Sequence, residues 1–432
     1  MQDTSSGPMT GTLGFVPQSA PQQRRYDVAI VGGGIVGLAT ARELLLRKPG
    51  LRLIVVEKDA AIASQQSGHN SGVLHSGIYY APGSLKARAC VEGHRRMIAF
   101  CEENAIPYEL CGKLIVALDE SELPRLEELY RRGTANGVTG LEMIGPERLR
   151  EVEPHAAGIK AIWSPNTGIV DYTRVATAYA CNVQERGGEI VVGHEVTNIA
   201  QLGSSAILTT RRPSDGGAAG PEIDAAHVIT CAGLQSDKVS AFGHGTRDVR
   251  IVPFRGDYYL LRPEKRHLVR ALIYPVPDQR FPFLGVHFTR RPDGAIWAGP
   301  NAVFAFAREG YGRWDLAPRD LWDALSYGGF WKMAAKYWRT GLEEVYRDYS
   351  KRAYVKELQR YLPDLQADDL LPGPSGVRAQ AVAPDGRLVD DFLMRRAANT
   401  VHVQNAPSPA ATSSLVIASM IADEVGSALV RD

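Results

Sequence analysis

Two histidines and two arginines carry the side chains best suited to chemistry in this chain. His75 lies with His69 in the small, polar run SGHNSGVLHSG, and His287 lies between Val286 and Phe288 in an apolar run. A neutral imidazole is a natural proton acceptor near neutral pH, and two histidines in one polar loop weigh against a purely structural role. Arg255, in PFRGDYYLL, and Arg378, in GVRAQAV, sit among strand-forming residues. A charge there is costly without a partner or an anionic ligand. For Arg255 a structural ion pair is the competing reading. His75 and His287 are therefore the candidate bases, and Arg255, Arg378, Tyr79 (in the His75 loop) and Asn405 (opening NAPSPAATSS) the candidate ligand contacts. Five cysteines lie far apart with no C-x-x-C or zinc spacing, so no metal site is expected.

These residues need a frame, and DVAIVGGGIVGLATARELLL, residues 27–46, supplies its start. A short apolar strand runs into Gly32, Gly34 and Gly37 at G-x-G-x-x-G spacing, with Ile35 and Val36 between them, and an apolar helix follows. The first glycine permits the turn, the second lets a pyrophosphate approach the backbone, and the third lets helix and strand pack closely. The helix start presents N–H groups and a positive dipole end to phosphate. A second strand, residues 51–56, ends in Glu57, twenty residues after Gly37, where a carboxylate accepts from an adenosine ribose. This is the pattern of a dinucleotide site, and alone it fits NAD or FAD. Lys58, Ser67, Gly68, Asn70, Ser71 and Gly72 follow as expected cofactor-lining residues, with Val196, Ala232, Gly233 and Gly376 further along. Near the end, Ser408 and Pro409 suit the start of a helix, and Ala411, Thr412 and Ser413 would let a flat ring come close. A helix start aimed at a flavin stabilises the charge that develops on reduction, which favours FAD, held non-covalently.

The predicted fold is α/β: a Rossmann-type, glutathione-reductase-like FAD-binding domain with an interleaved α+β substrate domain on a mixed, largely antiparallel sheet. The expected division gives 1–24 to a disordered tail, 25–89, 160–240 and 372–432 to the FAD domain, and 90–159 and 241–371 to the substrate domain. Thr173 is the expected cap of a helix running to Arg186, and residues 203–222 are expected to form a hairpin loop. The helical stretch 316–362 interleaves Trp322, Phe330, Trp331, Tyr337 and Trp338 with Lys332, Lys336 and Arg339. Core packing is the default for such aromatics, and a lipid-facing surface is the alternative. Charged residues make up 22% of the 432 positions and the net charge is +1, so no global field points to nucleic acid. No apolar run is long enough to span a membrane. The spaced cysteines suit a reducing compartment. The tail has no signal-peptide core and reads either as disordered or as what is left of a presequence.

Beyond these elements, GGGIVG, GHNSGVLHSGIYYAPGSLKA, CGKLIVA, TGIVDY, PFRGDYYLL, YPVPD, FPFLGVHFT, GPNAV, GVRAQA and NAPSPAATSS, in that order, resemble the L-2-hydroxyglutarate dehydrogenase/oxidase family of D-amino-acid-oxidase-type flavoproteins. The resemblance implies oxidation of L-2-hydroxyglutarate to 2-oxoglutarate with reduction of FAD. It also implies electron transfer to a membrane quinone or another acceptor and a loose membrane contact. The place expected is the matrix side of the mitochondrial inner membrane in a eukaryote, or the cytoplasmic face of the inner membrane in a bacterium. Under that reading His75 is the first choice of base and His287 its rival, and Arg255 and Arg378 hold the carboxylates. A related flavoenzyme for glycerol 3-phosphate, an amino acid or another 2-hydroxy acid is the alternative.

Overall fold

The computed structural model describes residues 15–18, 20–22, 25–243, 245–278 and 285–429, the side chains of 427–429 excepted. Most of the expected disordered tail and residues 281–284 of FPFLGVHFT lie outside the described residues. The described part of the tail is docked: the Gln18 N–H donates to the Ile190 carbonyl at 3.0 Å, and that of Gln22 to the Glu189 carboxylate at 2.9 Å.

The strand Arg25–Val31 is apolar over its second half because it is covered on both faces, and it lies centrally in a parallel sheet. The parallel order is Glu189–Val191, Leu53–Val56, Arg25–Val31, Ile223–Thr230, Thr400–Asn405. Helix Ile35–Arg47 packs against Ser414–Leu429 and Tyr172–Glu185, burying Leu38, Leu44 and Leu45. Each such side chain contributes roughly 1.5–3 kcal/mol on burial. Gly37 lets the same helix sit close on the glycine turn, since a Cβ there would run into the Gly32 carbonyl. Residues 203–222 correct the sequence reading: Ser205–Arg212 is a strand pairing antiparallel with Glu195–Leu202, and Ala218–Ala219 pairs back on its end. Its Ala206, Leu208 and Thr210 are buried alternately, an amphipathic period the polar composition hides.

The second sheet is mixed and mainly antiparallel. Its order is Val303–Phe304, Arg250–Leu261, Ile296–Gly299, His287–Arg290, Leu272–Pro275, Lys113–Ala117, Lys160–Ser164, Glu142–Ile144, with Leu370–Val382 along the other side of Arg250–Leu261. Lys160–Ser164 and Leu370–Val382, expected mainly or wholly in the cofactor domain, thus pair within this second sheet. The chain crosses between the sheets repeatedly, so composition marks no boundary there.

Two helix starts differ from expectation. Asp171, not Thr173, caps Tyr172–Glu185, its carboxylate accepting from the Thr173 N–H at 2.9 Å. The last helix begins at Ser414, and Ser408 and Pro409 fall in the tight turns before it. Small residues there favour turns as strongly as caps. All five cysteines are free thiols.

Arg308 and Asp237, both fully buried, tie the frame together at the cofactor side. Arg308 Nη1 donates to the Leu234 carbonyl at 2.8 Å and pairs with Asp237, and its Nη2 donates to Asp323 at 2.6 Å. This fixes the turn after Ile223–Thr230 to helix Pro318–Leu325. Removing one member would strand a buried charge, at about 3–5 kcal/mol.

Candidate active site

A cavity of about 570 Å³ lies where the carboxyl ends of the parallel strands face the second sheet. That size suits a cofactor-scale ligand. The glycine turn lines it through Gly32, Gly34, Ile35 and Val36. Gly32 has φ +112°, in the region only glycine enters cheaply. The Glu57 carboxylate accepts from the Gly33 N–H at 2.6 Å and the Asp59 N–H at 2.8 Å, which holds it at the end of its strand. Burial raises its pKa, and those two N–H groups work against the rise. The Ser67 hydroxyl accepts from the Ile35 N–H at 2.9 Å and stands at the helix start. Lys58, Asn70, Ser71, Gly72, Val196, Ala232, Gly233, Gly376, Ala411 and Thr412 complete this part of the lining. Lys58 Nζ is matched by Asp59 at 2.6 Å and Glu309 at 2.7 Å, so it adds no net positive charge.

Three expected cofactor residues do not line the cavity. Gly37 packs on the glycine turn, Gly68 lies against the Ala63 carbonyl, and Ser413 is fully buried. Their small size serves backbone packing beside the cavity.

The far part of the lining holds His75, Tyr258, Tyr274, His287, Arg378, Gln380 and Asn405, with Lys86. His75 is anchored through its backbone, its N–H donating to Thr412 Oγ1 at 3.2 Å. Tyr172 Oη lies 2.7 Å from the same Thr412 oxygen and donates to the Val73 carbonyl at 3.0 Å. The His75 loop and the turn before the last helix are thereby locked together. Among the described residues His75 Nδ1 is buried without a hydrogen-bond partner. Burial, then the charge of Lys113 and the nearness of His287, hold this imidazole well below its usual pKa, so it is neutral at pH 7. His287 Nδ1 donates to the Gly285 carbonyl at 2.8 Å, and its ring stacks on Tyr274 with centroids 3.9 Å apart. Since a carbonyl only accepts, the neutral ring carries its proton on Nδ1 and leaves Nε2 as an acceptor. Burial pushes its pKa down to about 3. Asn405 is held by its amide, which donates to the Val389 carbonyl at 3.0 Å and the Asp391 carbonyl at 2.9 Å.

Arg255 is a correction. Its Nε donates to Asp257 at 2.8 Å, its Nη1 to the Gly312 carbonyl at 3.2 Å, and its Nη2 lies 3.5 Å from Asp348. Strand alternation explains this: Gly256 and Tyr258 face the cavity, so Arg255 faces away. It is the structural ion pair. Tyr79 also stands outside the lining, a layer back beside Lys113. Sequence reasoning missed Lys86, Tyr258, Tyr274 and Gln380. All but Lys86 sit in strands beside or opposite the arginines and His287, and the alternation around Arg255 was the signal that could have found Tyr258.

The lining fits FAD in kind: a glycine cradle and helix start for pyrophosphate, Glu57 at a ribose position, and a tight turn, Pro407–Thr412, at the opposite side. The chain matches the model of the FAD dependent oxidoreductase family over residues 27–424. It is 52% identical over 413 residues to the mitochondrial L-2-hydroxyglutarate dehydrogenase of Nematostella vectensis, covering 92% of this chain and 90% of that one. It is 50% identical to the Homo sapiens protein of the same name, covering 93% and 88%. It is 47% identical to the L-2-hydroxyglutarate dehydrogenase of Indibacter alkaliphilus, covering 92% and 98%. In fold it is similar to L-alpha-glycerophosphate oxidase from Mycoplasma pneumoniae with FAD bound, with a TM-score of 0.74 at 23% identity over 94% of this chain and 95% of that one. The chain therefore belongs to the FAD-dependent oxidoreductases, in the family of the L-2-hydroxyglutarate dehydrogenases.

Proposed function

We propose that this enzyme oxidises the C2 hydroxyl of L-2-hydroxyglutarate to give 2-oxoglutarate. FAD, when bound, supplies the acceptor for the C2 hydride. The observation that carries the reading is that one cavity joins the glycine cradle to two neutral imidazoles and Arg378. His75, tied through Thr412 to the turn expected at the flavin edge, takes the hydroxyl proton. His287 Nε2 accepts a hydrogen bond from the substrate and orients it. Arg378 meets a carboxylate with its planar fork, and Asn405 borders the same space. The cofactor is held by Glu57, the glycine turn and residues 411–412. We assign the parallel sheet to the FAD domain and the mixed sheet to the substrate domain. Turnover with an artificial acceptor tests the substrate: L-2-hydroxyglutarate should exceed glycerol 3-phosphate and amino acids in kcat/KM by orders of magnitude, and comparable values would refute the assignment.

The physiological acceptor we infer is a membrane quinone, reached by docking on a lipid surface. Core packing accounts for Phe330, Tyr354 and Tyr361, which are buried, but not for the tryptophans: Trp322 is 72% exposed, and Trp331 and Trp338, with Leu342 and Tyr346, are exposed as well. Lys336 lies over the Tyr337 ring and Arg339 over that of Trp338, so cations accompany the aromatics. Such a mixture suits anionic headgroups. Among the described residues no helix is long and apolar enough to cross a membrane. With this reading goes an inferred location: in a eukaryote the matrix face of the mitochondrial inner membrane, in a bacterium the cytoplasmic face of its inner membrane. The double substitution Trp322→Ser, Trp338→Ser should cut co-sedimentation with anionic vesicles by ~10-fold or more with activity towards a soluble acceptor retained. Unchanged co-sedimentation would remove this face from the account.

A further inference from the structure

Lys113 opens the strand Lys113–Ala117 and is only 1% exposed, although every other residue of that strand is apolar. Its Nζ lies 4.1 Å from the ring centroid of Tyr274 and 5.2 Å from that of Tyr79. Tyr274 in turn lines the cavity and stacks on His287. The ammonium is thus one aromatic ring away from the space where the substrate is placed. It makes no ion pair among the described residues, and the groups that favour its charged form are the thiols of Cys90 and Cys111. A buried ammonium with cation–π contacts and no carboxylate is expensive. That cost is explained if the missing negative charge arrives with the ligand.

We propose that Lys113 is a positioning residue whose ammonium is the buried counter-charge for the dicarboxylate, and that it takes up a proton when the dianion binds while Lys113 is neutral. The inference rests on the substrate reading above and extends it to a residue behind the cavity wall. The proton comes from solvent and is returned when the product leaves, so no redox step is involved.

The groups around Lys113 make the titration separable. Burial brings its own pKa down to about 7. Burial pushes the Cys90 thiol up to about 12 and the Cys111 thiol up to about 11, and raises the Tyr79 and Tyr274 hydroxyls above their ordinary range. His75 and His287 are shifted down, so both are already neutral above pH 7. Arg378 lines the same cavity, and Lys86 is paired with Asp390 at 3.0 Å. Between pH 7 and 9 the titration of Lys113 therefore dominates this end of the cavity. Below pH 7 the ammonium is already formed and binding needs no proton. Above it, binding must protonate the amine, so affinity falls as pH rises, approaching tenfold per unit.

The test is titration of the oxidised holoenzyme with 2-oxoglutarate, followed by the flavin absorbance change, from pH 6.5 to 9. The wild type should bind with a dissociation constant that is flat to about pH 7 and then climbs towards tenfold per unit. Lys113→Met should bind at least ~10-fold more weakly at pH 7 and lose the slope. Lys113→Arg, permanently charged, should restore binding and also lack the slope. The Met variant leaves the strand wholly apolar, and its flavin spectrum reports whether it folds and loads. If it fails to load, the Arg variant decides alone: a retained slope overturns the proposal. Wild-type affinity and slope in Lys113→Met also overturn it while leaving the substrate reading intact. A lowered flavin potential in Lys113→Met with unchanged binding would assign the charge to the cofactor and overturn it too. Absence of 2-oxoglutarate binding by the wild type would instead defeat the substrate reading itself.

Discussion

His75→Gln should slow reduction of the bound flavin by L-2-hydroxyglutarate by ~100- to 10,000-fold, the range for losing a general base. Binding of 2-oxoglutarate should change only a few-fold, because the backbone link from His75 to Thr412 does not depend on the side chain. His287→Gln should have the smaller effect, ~10-fold, since it removes a single oriented acceptor from a neutral ring. Rapid-mixing absorbance under anaerobic conditions separates the two. If the order of effects is reversed, His287 is the base and His75 the orienting group. The neutrality of both rings also gives a direction with pH. Each is lowered by burial, so rates should not fall through protonation of either one near pH 6.5, as they would for an exposed imidazole.

The second large effect belongs to Arg378, and its contrast with Arg255 makes it informative. Arg378→Lys should raise KM for L-2-hydroxyglutarate and Kd for 2-oxoglutarate by ~10- to 100-fold, as an ammonium replaces a bidentate fork. Arg255→Met should act on stability instead. Asp257 and Asp348 would lose a buried partner, costing about 3–5 kcal/mol of stability, with KM close to wild type in the folded fraction. Equal KM effects from the two variants would mean that the opposite facing of the two arginines has no functional meaning.

Much of the cofactor half was legible in the chain because its requirements are local. A glycine turn between strand and helix, and a carboxylate at the end of the next strand, are set by backbone sterics over thirty residues, and both stand at the cavity. The substrate half depends on the pairing of strands far apart in sequence, such as Arg250–Leu261 with Leu370–Val382. Residue type could not say which way Arg255 and Arg378 point, although alternation from Gly256 would have set Arg255 aside once the cavity face was known. Lys113 shows the other limit. CGKLIVA reads as a strand with a polar start, and only the packing of Tyr79 and Tyr274 over the lysine reveals that its charge is buried. The helix start at Ser414 was misplaced because Ser408 and Pro409 satisfy turn and cap chemistry alike. The exposed tryptophans carry the same lesson, as their sequence suits a core and a surface equally.

Whether this cavity oxidises the L enantiomer of 2-hydroxyglutarate on FAD is addressed directly by one anaerobic experiment. The oxidised, yellow holoenzyme is mixed with excess L-2-hydroxyglutarate or with the D form, and the flavin absorbance is followed through a single turnover. Rapid, complete bleaching by the L form is expected, with 2-oxoglutarate formed in equal amount to the flavin reduced, and none by the D form on the same timescale. Bleaching by neither, or equal bleaching by both, would contradict the proposed oxidation.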